Sequence, residues 1–156
     1  MRTQELLELL PDELREISHA GLVVMYYDEI IDNLRAAADA VDCGDIEARH
    51  NCVAAASELI THLYLSLDHD QGGEIAANLA RIYDFVLTRL PRVSMDNDAV
   101  LATKLADMLM PLRASWKELD EQIAAGKVSG LTQSPAFTDE PIEIKSGSET
   151  PKANAA

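Results

Sequence analysis

Apolar residues recur along most of this chain at the spacing of an α-helix. They predict four long helices, at about 19–42, 46–67, 72–90 and 98–125. The turn and capping residues between them are Gly44-Asp45, Gly72-Gly73 and Asp96-Asn97. Because short connections join helices that lie beside each other, the pattern predicts an all-α fold, an antiparallel four-helix bundle.

Each predicted helix carries an apolar stripe that would face the core. In the first helix the stripe is Val23, Tyr27, Ile30, Leu34, Ala37 and Val41, with Asp28 on the opposite, solvated face. In the second it is Ile46, Val53, Ala56, Ile60, Leu63, Tyr64 and Leu67. In the third it is Ile75, Leu79, Ile82, Val86 and Leu90, widened by Tyr83 and Leu87, and in the fourth Leu101, Leu105, Met108, Leu112, Leu119 and Ile123. Further apolar residues, with Leu22, Met25, Leu59 and Leu65 among them, lie outside these stripes, where a partner helix, a fifth helix or a dimer interface would cover them.

The two ends of the chain differ from its centre. Residues 1–17 form a short amphipathic segment interrupted by Pro11, which predicts a short extra N-terminal helix. That segment either packs on the bundle or acts as a lid over a binding groove. Residues 127–156 are rich in Gly, Ser, Thr, Pro and Ala without periodicity, which predicts a disordered C-terminal tail. Residues 18–126 are therefore the predicted bundle domain, with Ser18 as the cap of its first helix.

Charge and composition restrict the classes of partner. The 27 acidic residues outnumber the 13 Lys and Arg, for a net charge of −14, which disfavours nucleic acid and anionic membranes. No apolar run approaches the roughly 18 residues that a membrane span needs. The N-terminus has no basic region followed by an apolar run, so no signal peptide is expected. Cys43 and Cys52 form no disulfide framework, and the expectation is a cytoplasmic protein.

Motifs for catalysis or metal binding are weak in this sequence. Glu47 and His50 form a single Glu-x-x-His pair, whereas di-iron bundles use two such pairs and two further Glu. There is no Gly-x-Ser-x-Gly nucleophile motif, and no Lys-Ser/Thr follows Gly72-Gly73 as a phosphate loop would require. The sequence therefore predicts no metal, no cofactor and no enzyme, and favours a bundle that binds a partner on its surface.

Six segments carry a more specific signal, and they occur in order along about residues 18–123. They are LVVMYYDEII at 22–31, AVDCGDIE at 40–47, LD at 67–68 followed by GGEIA at 72–76 and NL at 78–79, IYDF at 82–85, ND at 97–98, and LR at 112–113 with Trp116. Together they resemble the flagellin export chaperone family, FliS. Members of that family usually open with a short Tyr-containing segment, whereas the first 17 residues here contain no aromatic residue.

The resemblance implies a cytoplasmic helical bundle that binds the C-terminal segment of flagellin and needs no cofactor. Such a chaperone prevents premature polymerisation and accompanies flagellin to the type III export apparatus, where export gate components are further partners. A helical adaptor or regulator that binds a different partner through the same bundle stays open as an alternative. The predicted partner-binding residues, in the groove or supporting it, are Leu22, Met25, Tyr26, Ile75, Leu79, Ile82 and Tyr83. Tyr27 is predicted to lie in the core, where its hydroxyl needs a hydrogen-bond partner.

Overall fold

The computed structural model of the protein describes residues 19–126. They form four α-helices and no strand: α1 (His19–Cys43), α2 (Ile46–Leu65), α3 (His69–Met95) and α4 (Ala99–Ala124). The predicted all-α fold is confirmed, and the antiparallel orientation of the bundle stays a prediction. The predicted extra helix and lid at 1–17, the Ser18 cap and the tail at 127–156 lie outside the described residues. Within 19–126, no helix is both long enough and apolar enough to cross a membrane.

One hydrophobic core joins all four helices. α1 packs on both α2 and α4, and α2 also packs on α3. The core residues are Val23, Tyr27, Ile30, Ile31, Leu34, Ala56, Ile60, Leu63, Leu67, Leu79, Tyr83, Val86, Leu90, Leu105, Ala106 and Leu109. The stripe predicted for α1 is buried except at its end, where Val41 is half-buried. The period of the apolar residues therefore predicted the core face of α1 correctly.

The stripes predicted for α2 and α4 need correction. Ile46 and Tyr64 are exposed on α2, and Met108 is exposed on α4 while Leu109 is buried. Ile46 is the first residue of its helix, so little lies beside it. On α4 the buried positions are Ala102, Leu105, Ala106 and Leu109. Ala102 and Ala106 share this face with Leu105 and Leu109, and Met108 lies outside it.

The beginning of α3 also differs from the prediction. The Asp68 side chain accepts hydrogen bonds from the backbone N–H groups of Asp70 (3.0 Å) and Gln71 (2.9 Å), and so caps a short first turn. Gly73 then interrupts the helix with φ 49° and ψ −123°. The helix restarts with Ala76 in the buried position, and Ile75, predicted to be buried, faces solvent instead. Gly73 therefore breaks α3 near its start, whereas the prediction placed the beginning of the helix at the two glycines.

The turn between α3 and α4 lies further along than predicted. α3 continues through Pro91 to Met95, because Leu90 and Val93 are buried on either side of the proline and hold the helix against the core. Asp98, rather than Asp96 or Asn97, caps α4 by accepting a hydrogen bond from the backbone N–H of Leu101 (2.8 Å). The start of α2 lies beside this turn, since Arg49 donates a hydrogen bond to the side-chain oxygen of Asn97.

Candidate partner-binding surface

A groove between α1 and α2 is lined by residues at matched helical spacing. Tyr26 and Glu29 of α1 line it together with His62 and Glu58 of α2. By helical spacing, the exposed Leu22 and Leu65 lie one turn further along the same faces of α1 and α2. The rings of Tyr26 and His62 stack across the groove, with centroids 5.3 Å apart and planes 6° apart. This contact sets the register of the α1–α2 groove: an apolar layer (Leu22, Leu65), an aromatic layer (Tyr26, His62) and an acidic layer (Glu29, Glu58).

A surface pocket of about 390 Å³ opens in the groove between its aromatic and acidic layers. Its remaining lining is apolar and comes from Ala55 and Leu59 of α2. Tyr26 and Leu59 are half-buried against the core, which holds two sides of the pocket in place. Glu29 accepts a hydrogen bond from the side-chain amide of Asn33 (3.3 Å), and neither acidic residue pairs with a Lys or Arg of residues 19–126.

Several large apolar side chains are exposed near the end of α2 and near the starts of α1 and α3. The stack of Tyr26 on His62 brings the start of α1 to the end of α2, and the turn at 66–68 joins that end to α3. The exposed residues here, termed the apolar patch, are Leu22 (37% exposed), Met25 (49%), Tyr64 (36%), Leu65 (54%) and Ile75 (60%). Large apolar side chains exposed at one end of a bundle are candidates for contact with a partner. The opposite end carries its own exposed set, termed the far patch: Ile46, Met95 and Val100.

The three α1 residues predicted to bind a partner lie at this surface. Leu22 and Met25 are exposed in the apolar patch, and Leu22 also belongs to the apolar layer of the groove. Tyr26 is half-buried, stacks on His62 and lines the pocket. All three side chains are therefore placed where a partner can reach them, while their part in binding stays a prediction.

The four predicted residues of α3 divide between surface and core. Ile75 is exposed in the apolar patch. Ile82 is half-buried and packs against the core. Leu79 and Tyr83 are buried, with 6% and 1% of their surfaces exposed. Leu79 and Tyr83 can consequently act only as support beneath a binding surface, and of these four residues Ile75 is the one that a partner can contact directly.

The core behind α1 contains a buried hydrogen-bonded pair of tyrosines. The hydroxyl oxygens of Tyr27 and Tyr83 are 2.6 Å apart, and the Trp116 side chain also hydrogen-bonds to Tyr27. Burial raises the pKa of Tyr27 to about 12, although its two hydrogen bonds act in the opposite direction. Burial likewise raises the pKa of Tyr83, and the neighbouring Tyr27 adds to the effect. The prediction that Tyr27 is a core residue with a hydroxyl partner is confirmed.

An ion pair between α1 and α4 lies next to this network. Arg113 of α4 donates hydrogen bonds to Asp28 of α1 from Nε (2.7 Å, to Oδ1) and Nη2 (3.3 Å, to Oδ2). The hydrogen bond with Asp28 raises the pKa of Arg113 above its ordinary value. Asp28 lies at the solvated surface, as predicted, with 47% of its side chain exposed, and it pairs with Arg113 there. Together, Tyr27 with Trp116 and Asp28 with Arg113 fix α1 against α4 and so hold the α1 side of the groove.

Between His19 and Gly126 no three His, Cys, Asp or Glu side chains converge on a possible metal position. Cys43 is exposed, Cys52 is half-buried, and both are free thiols. The α1–α2 groove and the apolar patch are therefore the features of this part of the chain best suited to function.

Comparison with known proteins gives the family. The model of the family described as flagellar protein FliS matches residues 10–123, most of the chain and almost all of the four helices. The chain belongs to the FliS family. The FliS motifs noted above therefore have structural roles here: Tyr27 and Asp28 contact the Trp116 and Arg113 of the last helix.

Individual relatives agree with this assignment. The flagellar secretion chaperone FliS of Salmonella typhimurium is 30% identical over 99 residues, which cover 63% of this chain and 73% of the relative. The flagellar secretion chaperone FliSB of Pseudomonas aeruginosa is 28% identical over 86 residues, covering 55% and 68%. The FliS chaperone of Bacillus subtilis is 25% identical over 97 residues, covering 62% and 71%.

The sequence marked the α2 side of the groove only in part. Leu59 and Leu65 lie outside the predicted apolar stripe of α2, whereas His62 and Glu58 belonged to no predicted site. A signal is present in hindsight: Glu58, His62 and Leu65 carry the chemistry of the groove residues of α1 in reverse order, over the same separation of seven residues. Pairing the two sets requires the register of α2 against α1, which no single sequence supplies.

Proposed function

We propose that this FliS-family protein is a cytoplasmic, non-enzymatic export chaperone that binds the C-terminal segment of flagellin. In this role it prevents premature polymerisation of flagellin and aids its delivery to the flagellar type III export apparatus, with export gate components as further contacts. The observation that carries the proposal is the FliS family match over residues 10–123. The relatives named as flagellar secretion chaperones support it.

The surface described above suits a guest of this kind. A segment that folds on binding typically buries on the order of 1,000–3,000 Å² and spends about 2–5 kcal/mol on ordering. An amphipathic helix binds by placing its apolar face in a hydrophobic groove. The apolar patch would receive such a face, with Met25 and Ile75 as its exposed contacts. While the segment is bound, its apolar face is unavailable for contact with other flagellin subunits.

Co-expression with flagellin tests this function. We expect a stable 1:1 complex with full-length flagellin and no complex with flagellin that lacks its C-terminal segment, because that segment supplies the guest helix. Size-exclusion chromatography with light scattering measures the stoichiometry. Absence of a complex with full-length flagellin, or a complex that persists without the C-terminal segment, would contradict the proposal.

A further inference from the structure

The α1–α2 groove presents two different binding positions a fixed distance apart. Its apolar layer lies one helical turn from the stacked Tyr26 and His62 on one side, and its acidic layer lies one turn away on the other. Leu22 and Glu29 are seven residues apart along α1, a rise of about 10.5 Å at 1.5 Å per residue. Glu58 and Leu65 repeat this separation on α2. A helix lying along the groove therefore meets an apolar position and an acidic position about two turns apart.

The acidic layer consists of two exposed carboxylates, Glu29 and Glu58. Elsewhere in the four helices, Asp28 is paired with Arg113 and Asp96 with Arg92. Glu29 and Glu58 line one pocket and have no Lys or Arg partner among residues 19–126. Two carboxylates in one pocket repel each other, and a cation placed between them relieves the repulsion.

The remaining walls of the pocket suit a long basic side chain. Ala55 and Leu59 offer apolar surface for the methylene groups of a lysine or arginine, which bury their stems while the charged end meets polar groups. The Tyr26 ring adds an aromatic surface of the kind that attracts cations. An apolar side chain placed in the pocket would leave both carboxylates unpaired, and an acidic one would be repelled.

We propose that the α1–α2 groove binds a helical segment of flagellin through a two-part code, an apolar side chain and a basic side chain about seven residues apart. The apolar side chain packs on Leu22 and Leu65. The lysine or arginine enters the pocket and pairs with Glu29 and Glu58. This inference rests on the proposed function and adds the chemistry by which the groove selects its guest.

The test compares two variants that remove the same amount of charge. Glu29→Gln with Glu58→Gln neutralises the pocket, and Asp39→Asn with Glu47→Gln neutralises two exposed acids on the same helices, towards the other end. Isothermal titration with a purified fragment carrying the C-terminal segment of flagellin measures each affinity. We expect the pocket variant to bind about tenfold more weakly than wild type at about 0.05 M salt, with a smaller difference at about 0.5 M salt. The control variant should stay within about twofold of wild type.

Substitutions in the flagellin fragment then identify the guest side chain. Each Lys and Arg of the fragment is changed in turn to Gln. One substitution should weaken binding to wild type about tenfold and have little effect on binding to the pocket variant, as a double-mutant cycle requires for a direct pair. Circular dichroism confirms that the exposed substitutions leave the helices intact.

The outcomes separate the two levels of the proposal. If both chaperone variants bind like wild type, or if both are weakened equally, the pocket does not select a basic side chain and the inference fails, while the proposed function stands. If wild type binds no flagellin fragment, the proposed function fails and the groove's assigned occupant fails with it.

Discussion

At the scale of single residues, the hydroxyl of Tyr27 is bonded on two sides within the core. It meets the Tyr83 hydroxyl at 2.6 Å and the Trp116 side chain. Tyr27→Phe leaves both partners without their bond, so we expect the free energy of unfolding to fall by about 1–3 kcal/mol. Tyr83→Phe leaves Tyr27 bonded to Trp116, and we expect a loss of about 1 kcal/mol or less. Urea denaturation measures both.

The double variant provides the control for this network. Because Tyr27 and Tyr83 share one hydrogen bond, the double substitution should destabilise the protein by less than the sum of the two single substitutions. Strict additivity, or a larger loss for Tyr83→Phe than for Tyr27→Phe, would show that the hydrogen bonds assigned to Tyr27 do not stabilise the core.

The same tyrosine predicts how stability responds to alkaline pH. The pKa of Tyr27 rises from 10.0 to about 12 on burial, so the folded protein retains a proton that the unfolded chain releases. The stabilisation is therefore complete below pH 10.0 and is lost as the pH rises towards about 12. The free energy of unfolding should fall steeply over this interval in wild type and less steeply in Tyr27→Phe. Equal slopes for the two proteins would contradict the burial of a neutral Tyr27.

The sequence predicted individual residues well where a helix is regular and poorly where it is broken. Tyr27 lies on the unbroken stripe of α1, and both its burial and its need for a partner could be predicted. Ile75 lies two residues after Gly73, and the break there turns it towards solvent. Leu79 follows the same helix beyond the break and is buried as predicted. Apolar spacing gives the face of a residue only within one continuous helix.

At the scale of elements, capping residues located some helix ends and not others. The turn at Gly44-Asp45 follows the prediction: Gly44 has φ 72°, and the Asp45 side chain accepts a hydrogen bond from the backbone N–H of Ala48 (2.9 Å). The turn before α4 offers three capping residues in a row, at 96–98. Asp98 takes the role because burial of Val93 extends α3 beyond Pro91. That choice depends on tertiary packing, so the local sequence could not make it.

The backbone at Gly73 leads to a prediction about substitution. Its φ of 49° and ψ of −123° are accessible to glycine and strained for other residues, although a Cβ there would meet nothing within 4 Å. Gly73→Ala and Gly73→Asn should therefore each lower the free energy of unfolding by about 1–3 kcal/mol, from backbone strain alone. Thermal and urea denaturation measure the loss.

Gly44 is the matched control for Gly73. It ends α1 in the left-handed conformation, with hydrogen bonds from Gly44 N–H to Val41 (3.2 Å) and from Asp45 N–H to Ala40 (2.9 Å). Asparagine is tolerated at such helix ends, so Gly44→Asn should lower the free energy of unfolding by less than Gly44→Ala does. At Gly73 the two substitutions should lower it by about the same amount. A stabilising Gly73→Ala would mean that α3 straightens without penalty and that its break is not required by the fold.

At the scale of the whole molecule, the all-α class and the family could be predicted from the sequence, while the binding surface could not be assembled from it. The motif residues are spread from 22 to 116, and their order alone carried the resemblance. The groove requires α2 to face α1 in one register, which the contact between Tyr26 and His62 provides. Leu22 and Met25 were recognised because they lie outside the core stripe, whereas His62 has no such mark in the sequence.

The most direct test of the account compares the two exposed apolar ends of the bundle. Leu22→Glu with Met25→Glu places charge in the apolar patch, and Met95→Glu with Val100→Glu places the same charge in the far patch. We measure the affinity of each variant for full-length flagellin by isothermal titration, after circular dichroism has shown that both fold.

The account predicts that the apolar-patch variant binds flagellin about 100-fold more weakly than wild type, because the guest helix would bury unpaired carboxylates. The far-patch variant should bind within about threefold of wild type. Equal affinities for the two variants, or a greater loss in the far-patch variant, would contradict the claim that flagellin binds at the apolar patch and the α1–α2 groove.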